Sequence, residues 1–317
     1  MKVSVIGCGR WGSFIAWYLA RQGMDVTLYG RKDSARFAAL VRDGRNEYVN
    51  LSGVRLTSDL SAAARADVLA VAVSSGGLRA VLKELSPLGL PEKKVVLCMK
   101  GVEETSGKRL SEVAAEEGAR RENIAVWVGP GHIQSFVKGL PNCMLIDSEN
   151  AALTKELADA WRSDLIRFYY GNDLIGSEIG AAAKNVFGIA AGMLDGGGYS
   201  TLKGPLMARG AREISRLIAA MGGNELSAYG LCHLGDYETT LFSEYSNNRA
   251  FGIAFVQGEP FAKLAEGVSA AKGLKILGEK YGEELPITNA VCSILFGGKE
   301  PMGVFSSLFS RSTRAEF

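Results

Sequence analysis

The chain has 317 residues, 47% of them hydrophobic and 22% charged, with a formal net charge of +2. That length exceeds one ordinary core and predicts two domains, and the composition is that of a soluble folded protein, not a disordered one. The near-neutral balance argues against a dedicated nucleic-acid or membrane-surface binder, and no apolar run is long enough to span a bilayer. The first predicted element is a strand over 2–6, followed by a helix whose apolar positions Phe14, Ile15, Tyr18 and Leu19 share one face, and then a strand over 25–29. Between the first two lie Gly7, Gly9 and Gly12 in GxGxxG register. Gly7 permits a tight turn, Gly9 lets backbone approach a pyrophosphate, Gly12 brings helix against sheet, and the helix start supplies free N–H donors. A strand before the glycines and a helix and second strand after them are the context in which the motif points to a dinucleotide.

The end of the second strand bears on which dinucleotide. An NAD site places Asp or Glu there for the ribose 2′-hydroxyl, whereas this chain reads YGRKD, with Asp33 late and Arg31 and Lys32 in the expected place. Two cations favour a 2′-phosphate, hence NADP ahead of NAD. The competing reading has Arg31 stacking on adenine or facing solvent. Further strands are predicted over 67–73, 95–98 and 124–128, with a helix near 78–85. Near-continuous apolar strands alternating with helices imply a parallel sheet covered on both faces, with ligands beyond the strands' carboxyl ends. The loops at Ser74-Ser75-Gly76, Lys100-Gly101 and Gly129-Pro130-Gly131 are therefore expected to face the nicotinamide end.

From about residue 174 the pattern turns to long helices with no convincing strands. The stretch DLIGSEIGAAAKNVFGIAAGML is predicted as one helix rich in alanine and glycine, and it carries a single lysine, Lys184. An amphipathic helix is predicted over 204–223, then a polar stretch over 234–252 with too many hydrogen-bonding side chains for packing alone. The expected architecture is α/β: a Rossmann-type, doubly wound parallel sheet in a dinucleotide-binding domain over 1–172, and an all-α substrate-binding and catalytic domain over 173–317. Five scattered cysteines without a CxxC pair, and two histidines, indicate neither a disulfide framework nor a metal site. Met1 runs straight into KVSVIGCG, leaving no room for a signal peptide, so a cytoplasmic enzyme is expected.

With these elements in place the chain resembles the NAD(P)-dependent glycerol-3-phosphate dehydrogenases nearly end to end. Gly7-Cys8-Gly9-Arg10-Trp11-Gly12 is similar to the family's GxGxWG loop, and Met99-Lys100-Gly101 to its lysine-glycine loop. EIGAAAKNV resembles its Lys-Asn helix, LGDYETT its GLGDLxxT segment, and Leu285-Pro286-Ile287-Thr288 its PIT signature. The resemblance implies hydride exchange between nicotinamide and C2 of sn-glycerol 3-phosphate, giving dihydroxyacetone phosphate, with a role in supplying glycerol phosphate for phospholipid synthesis and a homodimeric state.

Carried over by position, Lys184 is the general acid/base, Lys100 assists at the reacting oxygen, and Asn185, Asp236 and Thr240 orient that lysine and the substrate. The implied cofactor-binding residues are Gly7, Gly9, Arg10, Trp11, Gly12, Arg31, Lys32, Ser74 and Arg249. The implied substrate-binding residues are Lys100, Gly129, Ser246, Asn247, Asn248 and Arg249. The chemistry agrees, because a carbonyl accepting hydride becomes an alkoxide that needs a cation and a proton donor. A lysine in an apolar cleft is desolvated, and its pKa falls towards neutrality.

The departures fall in substrate-facing loops. The family's SRN motif reads Ser246-Asn247-Asn248, and a neutral amide does not replace a bidentate guanidinium on a phosphate dianion. Arg249 and Lys203 are the candidates to compensate. The GPxFAxE loop reads Gly129 to Ser135 with His132 for phenylalanine and Ser135 for glutamate, and the GLGD segment begins Cys232-His233. Both histidines thus have substrate contact and an ordinary structural role as alternatives. The main alternative function is a paralogous dehydrogenase acting on another phosphorylated or anionic hydroxy or keto substrate, 2-hydroxy- and 2-keto-acid reductases included. A cofactor-binding sensor without catalysis would not need Lys100, Lys184, Asn185 and Asp236 together.

Overall fold

A computed structural model describes residues 1–312, 315 and 316. Its strands are β1 (Lys2–Ile6), β2 (Asp25–Tyr29), β3 (Arg55–Thr57), β4 (Val68–Val71), β5 (Lys94–Leu97), β6 (Ile124–Val128), β7 (Asn142–Asp147) and β8 (Ile166–Tyr170). They form one sheet in the order β3-β2-β1-β4-β5-β6-β7-β8. Neighbours run parallel except β6 and β7, which are antiparallel. The first six strands keep the Rossmann order, so the reversal of strand order falls between β1 and β4, just where the glycine loop emerges.

The sheet is the doubly wound, mainly parallel one expected, extended by β3, β7 and β8. β3 spans only three residues, and β8 buries only Ile166 of its five, so neither makes a buried apolar run. β7 runs antiparallel to β6 although the connection between them, over 129–141, carries a short helix, and β8 returns parallel to β7.

The intervening helices are α1 (Arg10–Arg21), α2 (Ala35–Asp43), α3 (Leu60–Ala63), α4 (Leu78–Leu85), α5 (Leu110–Glu116), α6 (Ile133–Val137) and α7 (Ala151–Trp161). On one face of the sheet Phe14 and Tyr18 of α1 meet Trp127 of β6 and Trp161 of α7 in a buried aromatic cluster. The Tyr18 hydroxyl is satisfied there by donating to the Trp161 carbonyl at 2.5 Å. Leu78, Leu82, Leu110 and Val113 of α4 and α5 cover the other face.

The second half is built on α8 (Leu174–Gly196), buried almost throughout, with α9 (Lys203–Ala220), α10 (Asn247–Gln257), α11 (Glu266–Tyr281), α12 (Pro286–Gly297) and α13 (Pro301–Phe309) around it. Two buried carboxylate clusters set α8 on the sheet. Glu178 accepts from Arg109 Nη1 at 2.9 Å, the Ser111 amide at 2.8 Å and the Ser111 hydroxyl at 2.5 Å, all at the start of α5. Asp147, at the end of β7, accepts from the Ser177 hydroxyl at 2.6 Å and the Asp173 amide at 3.2 Å. The PIT signature is also structural. Pro286 opens α12, and the buried Glu213 of α9 accepts from the Ile287 amide, the Thr288 amide and the Thr288 hydroxyl at 2.7, 3.1 and 2.7 Å. Among the described residues, no helix is long and apolar enough to cross a membrane.

Candidate active site

A cleft of about 930 Å³ runs from the glycine loop after β1 to the middle of α8. At its first end the three glycines divide the work. Gly7 has φ +117°, and a Cβ there would fall 2.6 Å from the Ala72 carbonyl oxygen, so only glycine makes this turn. At Gly12 a Cβ would fall 1.9 Å from the Gly7 carbonyl oxygen, which is the close packing of α1 on the loop. At Gly9 the nearest atom is Arg36 Nη1 at 3.8 Å, leaving open space beside the start of α1. The first-turn amides of α1 have no intrahelical acceptors, so this open, donor-rich cradle fits a pyrophosphate.

At the other end, glycines act between helices. Gly188, Gly192 and Gly196 recur every fourth residue and so line one stripe of α8. A Cβ at Gly192 would lie 2.0 Å from the Arg249 carbonyl oxygen, and one at Gly196 would lie 3.1 Å from that of Ile253. Gly252 answers from α10, where a Cβ would fall 2.2 Å from the Ile189 oxygen. The two backbones therefore touch. That approach lets Asn248 Nδ2 donate to Asn185 Oδ1 at 3.0 Å, while Asn248 Oδ1 accepts from the Gly267 amide at 2.9 Å. Asn248 is thus a strut among α8, α10 and α11, and it holds Asn185, one residue from the lysine that turns to the cleft.

Lys184 is 8% exposed, and its Nζ donates to Thr240 Oγ1 at 2.8 Å and lies 3.1 Å from Asp236 Oδ2. Lys100, beyond β5, donates to the same carboxylate oxygen at 2.5 Å and to the Gly129 carbonyl at 2.6 Å. The other Asp236 oxygen is engaged by the Thr239 hydroxyl. Burial alone would raise the Asp236 carboxyl, but the Lys100 and Lys184 ammoniums outweigh it and hold the group below its ordinary value. Burial lowers Lys184 to about 8, with Asp236 opposing that shift and Lys100 adding to it. The result is an ammonium that stays charged at neutral pH yet releases its proton readily.

Of the other expected site residues, Arg10, Trp11, Ser74, Ser246, Asn247 and Asn248 line the cleft with Lys100, Lys184 and Thr240. Asp236 and Asn185 sit directly behind them. Arg31 and Lys32 depart from expectation. Arg31 is 78% exposed and 3.7 Å from Asp33, and neither residue is among those lining the cleft. Arg36, in the first turn of α2, lines it instead. The Ser34 N-cap, which accepts from the Phe37 amide, turns the chain there, so the nearest cation in sequence is not the nearest in space. Arg249 and Lys203 also depart from expectation, since both bind Asp195, at 2.6 and 2.9 Å, and do not line the cleft.

The two histidines part company. His233 is buried between the Gly180 carbonyl at 2.9 Å and the Tyr237 hydroxyl at 2.7 Å, a structural role. His132 lines the cleft edge-on to Tyr245, and its buried Nε2 has no hydrogen-bond partner among the described residues. Burial and the Lys184 charge lower its pKa, keeping the ring neutral. Glu266 also lines the cleft; its pKa is raised by burial against the pull of Lys184 and Lys100. Nothing in the sequence patterns pointed to it, because an acidic residue at a helix start is common.

The sheet order, the glycine cradle and the lysine pair on one buried carboxylate define a class, the Rossmann-type dehydrogenases with a helical second lobe. Comparison with known proteins narrows it. The family description "NAD-dependent glycerol-3-phosphate dehydrogenase N-terminus" matches residues 2–154, and its C-terminal counterpart matches 173–306. The chain belongs to that family. It is 34% identical over 328 residues to glycerol-3-phosphate dehydrogenase [NAD(P)+] of Clostridium botulinum, covering 99% of each chain. It is 37% identical over 334 residues to the Streptomyces avermitilis protein of the same name, covering 100% of this chain and 98% of the relative. The solved glycerol-3-phosphate dehydrogenase of Coxiella burnetii superposes with a TM-score of 0.91 at 27% identity, covering 98% of this chain and 99% of that one. A D-mandelate dehydrogenase shares the fold alone, with a TM-score of 0.65 at 16% identity over 94% of this chain and 98% of that one.

Proposed function

We propose that this protein interconverts sn-glycerol 3-phosphate and dihydroxyacetone phosphate, using NADP or NAD. The observation that carries the reading is the convergence of Lys184 and Lys100 on Asp236 Oδ2, at 3.1 and 2.5 Å, in the cleft that begins at the glycine loop. A nicotinamide dinucleotide held at that loop supplies or accepts the hydride. Lys184 gives a proton to the ketone oxygen as it becomes an alkoxide, and takes it back in the reverse direction. Lys100 stabilises the developing charge beside it, and Asp236 keeps both ammoniums aimed at one point. Thr240 fixes the Lys184 amine through its 2.8 Å bond, and Asn185 fixes the helix that carries it.

Gly7, Gly9 and Gly12 with Arg10, Trp11 and Ser74 hold the dinucleotide in this reading, and Arg36 in the cleft supports a 2′-phosphate, with NADPH used at least as well as NADH. Residues 1–172 act as the dinucleotide lobe and 173–317 as the substrate lobe. The family resemblance supports a cytoplasmic homodimer that supplies glycerol phosphate for phospholipid synthesis.

The test is absorbance at the reduced nicotinamide band while purified protein reduces dihydroxyacetone phosphate with each cofactor. Turnover with ordinary values of kcat/KM, above about 10⁴ M⁻¹s⁻¹, is expected. No turnover at roughly millimolar substrate, the upper end of ordinary KM values, would overturn the reading.

A further inference from the structure

We infer that Lys263 anchors the substrate phosphate in this protein, taking over the charge that Asn247 has given up. The inference rests on the substrate reading above. A phosphate dianion in a half-buried cleft needs a cation with free donors, and the cleft is lined by five: Arg10, Arg36, Lys100, Lys184 and Lys263. Lys100 and Lys184 are bound to Asp236 at the reacting end. Arg10 and Arg36 lie at the glycine loop, Arg10 opening α1 and Arg36 approaching Gly9. Arg249 and Lys203, outside the lining, are both held by Asp195. Lys263 remains, and among the described residues its ammonium has no ion-pair or hydrogen-bond partner.

Its placement ties it to the substituted position. The Asn247 side chain donates through Nδ2 to the Leu264 carbonyl at 3.3 Å, so the amide where the family carries an arginine clasps the backbone next to Lys263. An arginine at 247 would itself be the anchor. Asparagine instead holds a neighbouring segment, and that segment carries the charge. Beside it, α10 begins at Asn247, and the first-turn amides of Asn247 and Asn248 have no intrahelical acceptor. The helix start and an exposed lysine therefore line the same cleft, with the lysine acting as a point charge in place of a planar fork.

The experiment compares Lys263→Met, Asn247→Arg and the double variant on dihydroxyacetone phosphate and on dihydroxyacetone, which lacks the phosphate. NADPH binding is followed in parallel by nicotinamide fluorescence. Lys263→Met is expected to lower kcat/KM for the phosphorylated ketone by roughly 10- to 100-fold, the worth of one charge-assisted hydrogen bond. The loss on dihydroxyacetone should be far smaller, NADPH affinity should stay close to wild type, and adding Asn247→Arg should restore much of the activity. Equal losses on both ketones, or a loss confined to NADPH affinity, would overturn the inference and assign Lys263 to the cofactor or to loop structure. Wild-type protein that turns over dihydroxyacetone phosphate, with Lys263→Met unchanged, removes this inference alone. Wild-type protein inert towards it removes the substrate reading, and this inference with it.

Discussion

Two carboxylates in the helical half each bind two cations, and only one of these trios faces the cleft. Asp236 holds Lys100 and Lys184; Asp195 holds Lys203 and Arg249. The charge count is the same and the surroundings are not. Asp236 is wholly buried, and Lys184 has lost nearly all its water, which brings its pKa down to about 8. Asp195 joins the end of α8 to the Ser200 turn and to α10, with Lys203 12% and Arg249 23% exposed. Burial would raise the Asp195 carboxyl, but Ser200, Lys203 and Arg249 hold it below its ordinary value. A guanidinium does not give up its proton in a protein, so a trio containing one is a clasp. A trio of one carboxylate and two lysines, one of them desolvated, can move a proton. In the proposed reading, solvation and the identity of the cation separate catalyst from fastener.

The comparison breaks most visibly at Lys184. Lys184→Ala should lower ketone reduction by about 10²- to 10⁴-fold, the usual worth of a positioned general acid. NADPH binding, measured by fluorescence titration, should survive, because in the proposed reading the lysine serves the substrate oxygen. Near-wild-type turnover in this variant would remove the assignment.

The pH dependence sharpens the same contrast. In ketone reduction Lys184 must be protonated, so kcat/KM should fall as pH rises through about 8, while glycerol phosphate oxidation, which needs the neutral amine, should rise. Asp236 opposes the lowering of Lys184. Asp236→Asn should therefore drop the lysine further and move the break in the reduction profile to lower pH. A break that stays in place would mean that Asp236 only orients the lysines.

How far the sequence revealed these two trios differs with their geometry. Lys184 stood out because one charge in an alanine-glycine helix violates the apolar pattern, and Lys100 because it follows a strand end. The glycine loop is equally legible, since Gly7, Gly9 and Gly12 serve a backbone conformation local to one short loop. Asp195 was not recognised as a partner for Arg249, because the contact spans 54 positions and depends on α8 and α10 meeting at backbone distance. Arg36 is not legible in the sequence, because the Ser34 cap, and not proximity in sequence, decides which side chain enters the cleft. In the sheet, β7 is not legible because its short apolar run cannot be told from a buried helix segment by periodicity. Glu266 had no signal at all.

The smallest expected effect comes from the second trio. Asp195→Asn leaves Lys203 and Arg249 facing each other beside a neutral amide, and should lower stability by about 1–2 kcal/mol, discounted because both cations are partly solvated. Its loss of activity should be far below that of Lys184→Ala. The sign with pH follows from the depressed carboxyl. Asp195 stabilises the fold fully above the ordinary carboxylate pKa of about 4, and that contribution disappears as pH falls through the lower folded value. Thermal unfolding of wild type and Asp195→Asn should therefore differ at pH 7 and converge towards acid. A gap in Tm that persists undiminished to about pH 2, below both values, would show that Asp195 acts through packing and not through charge.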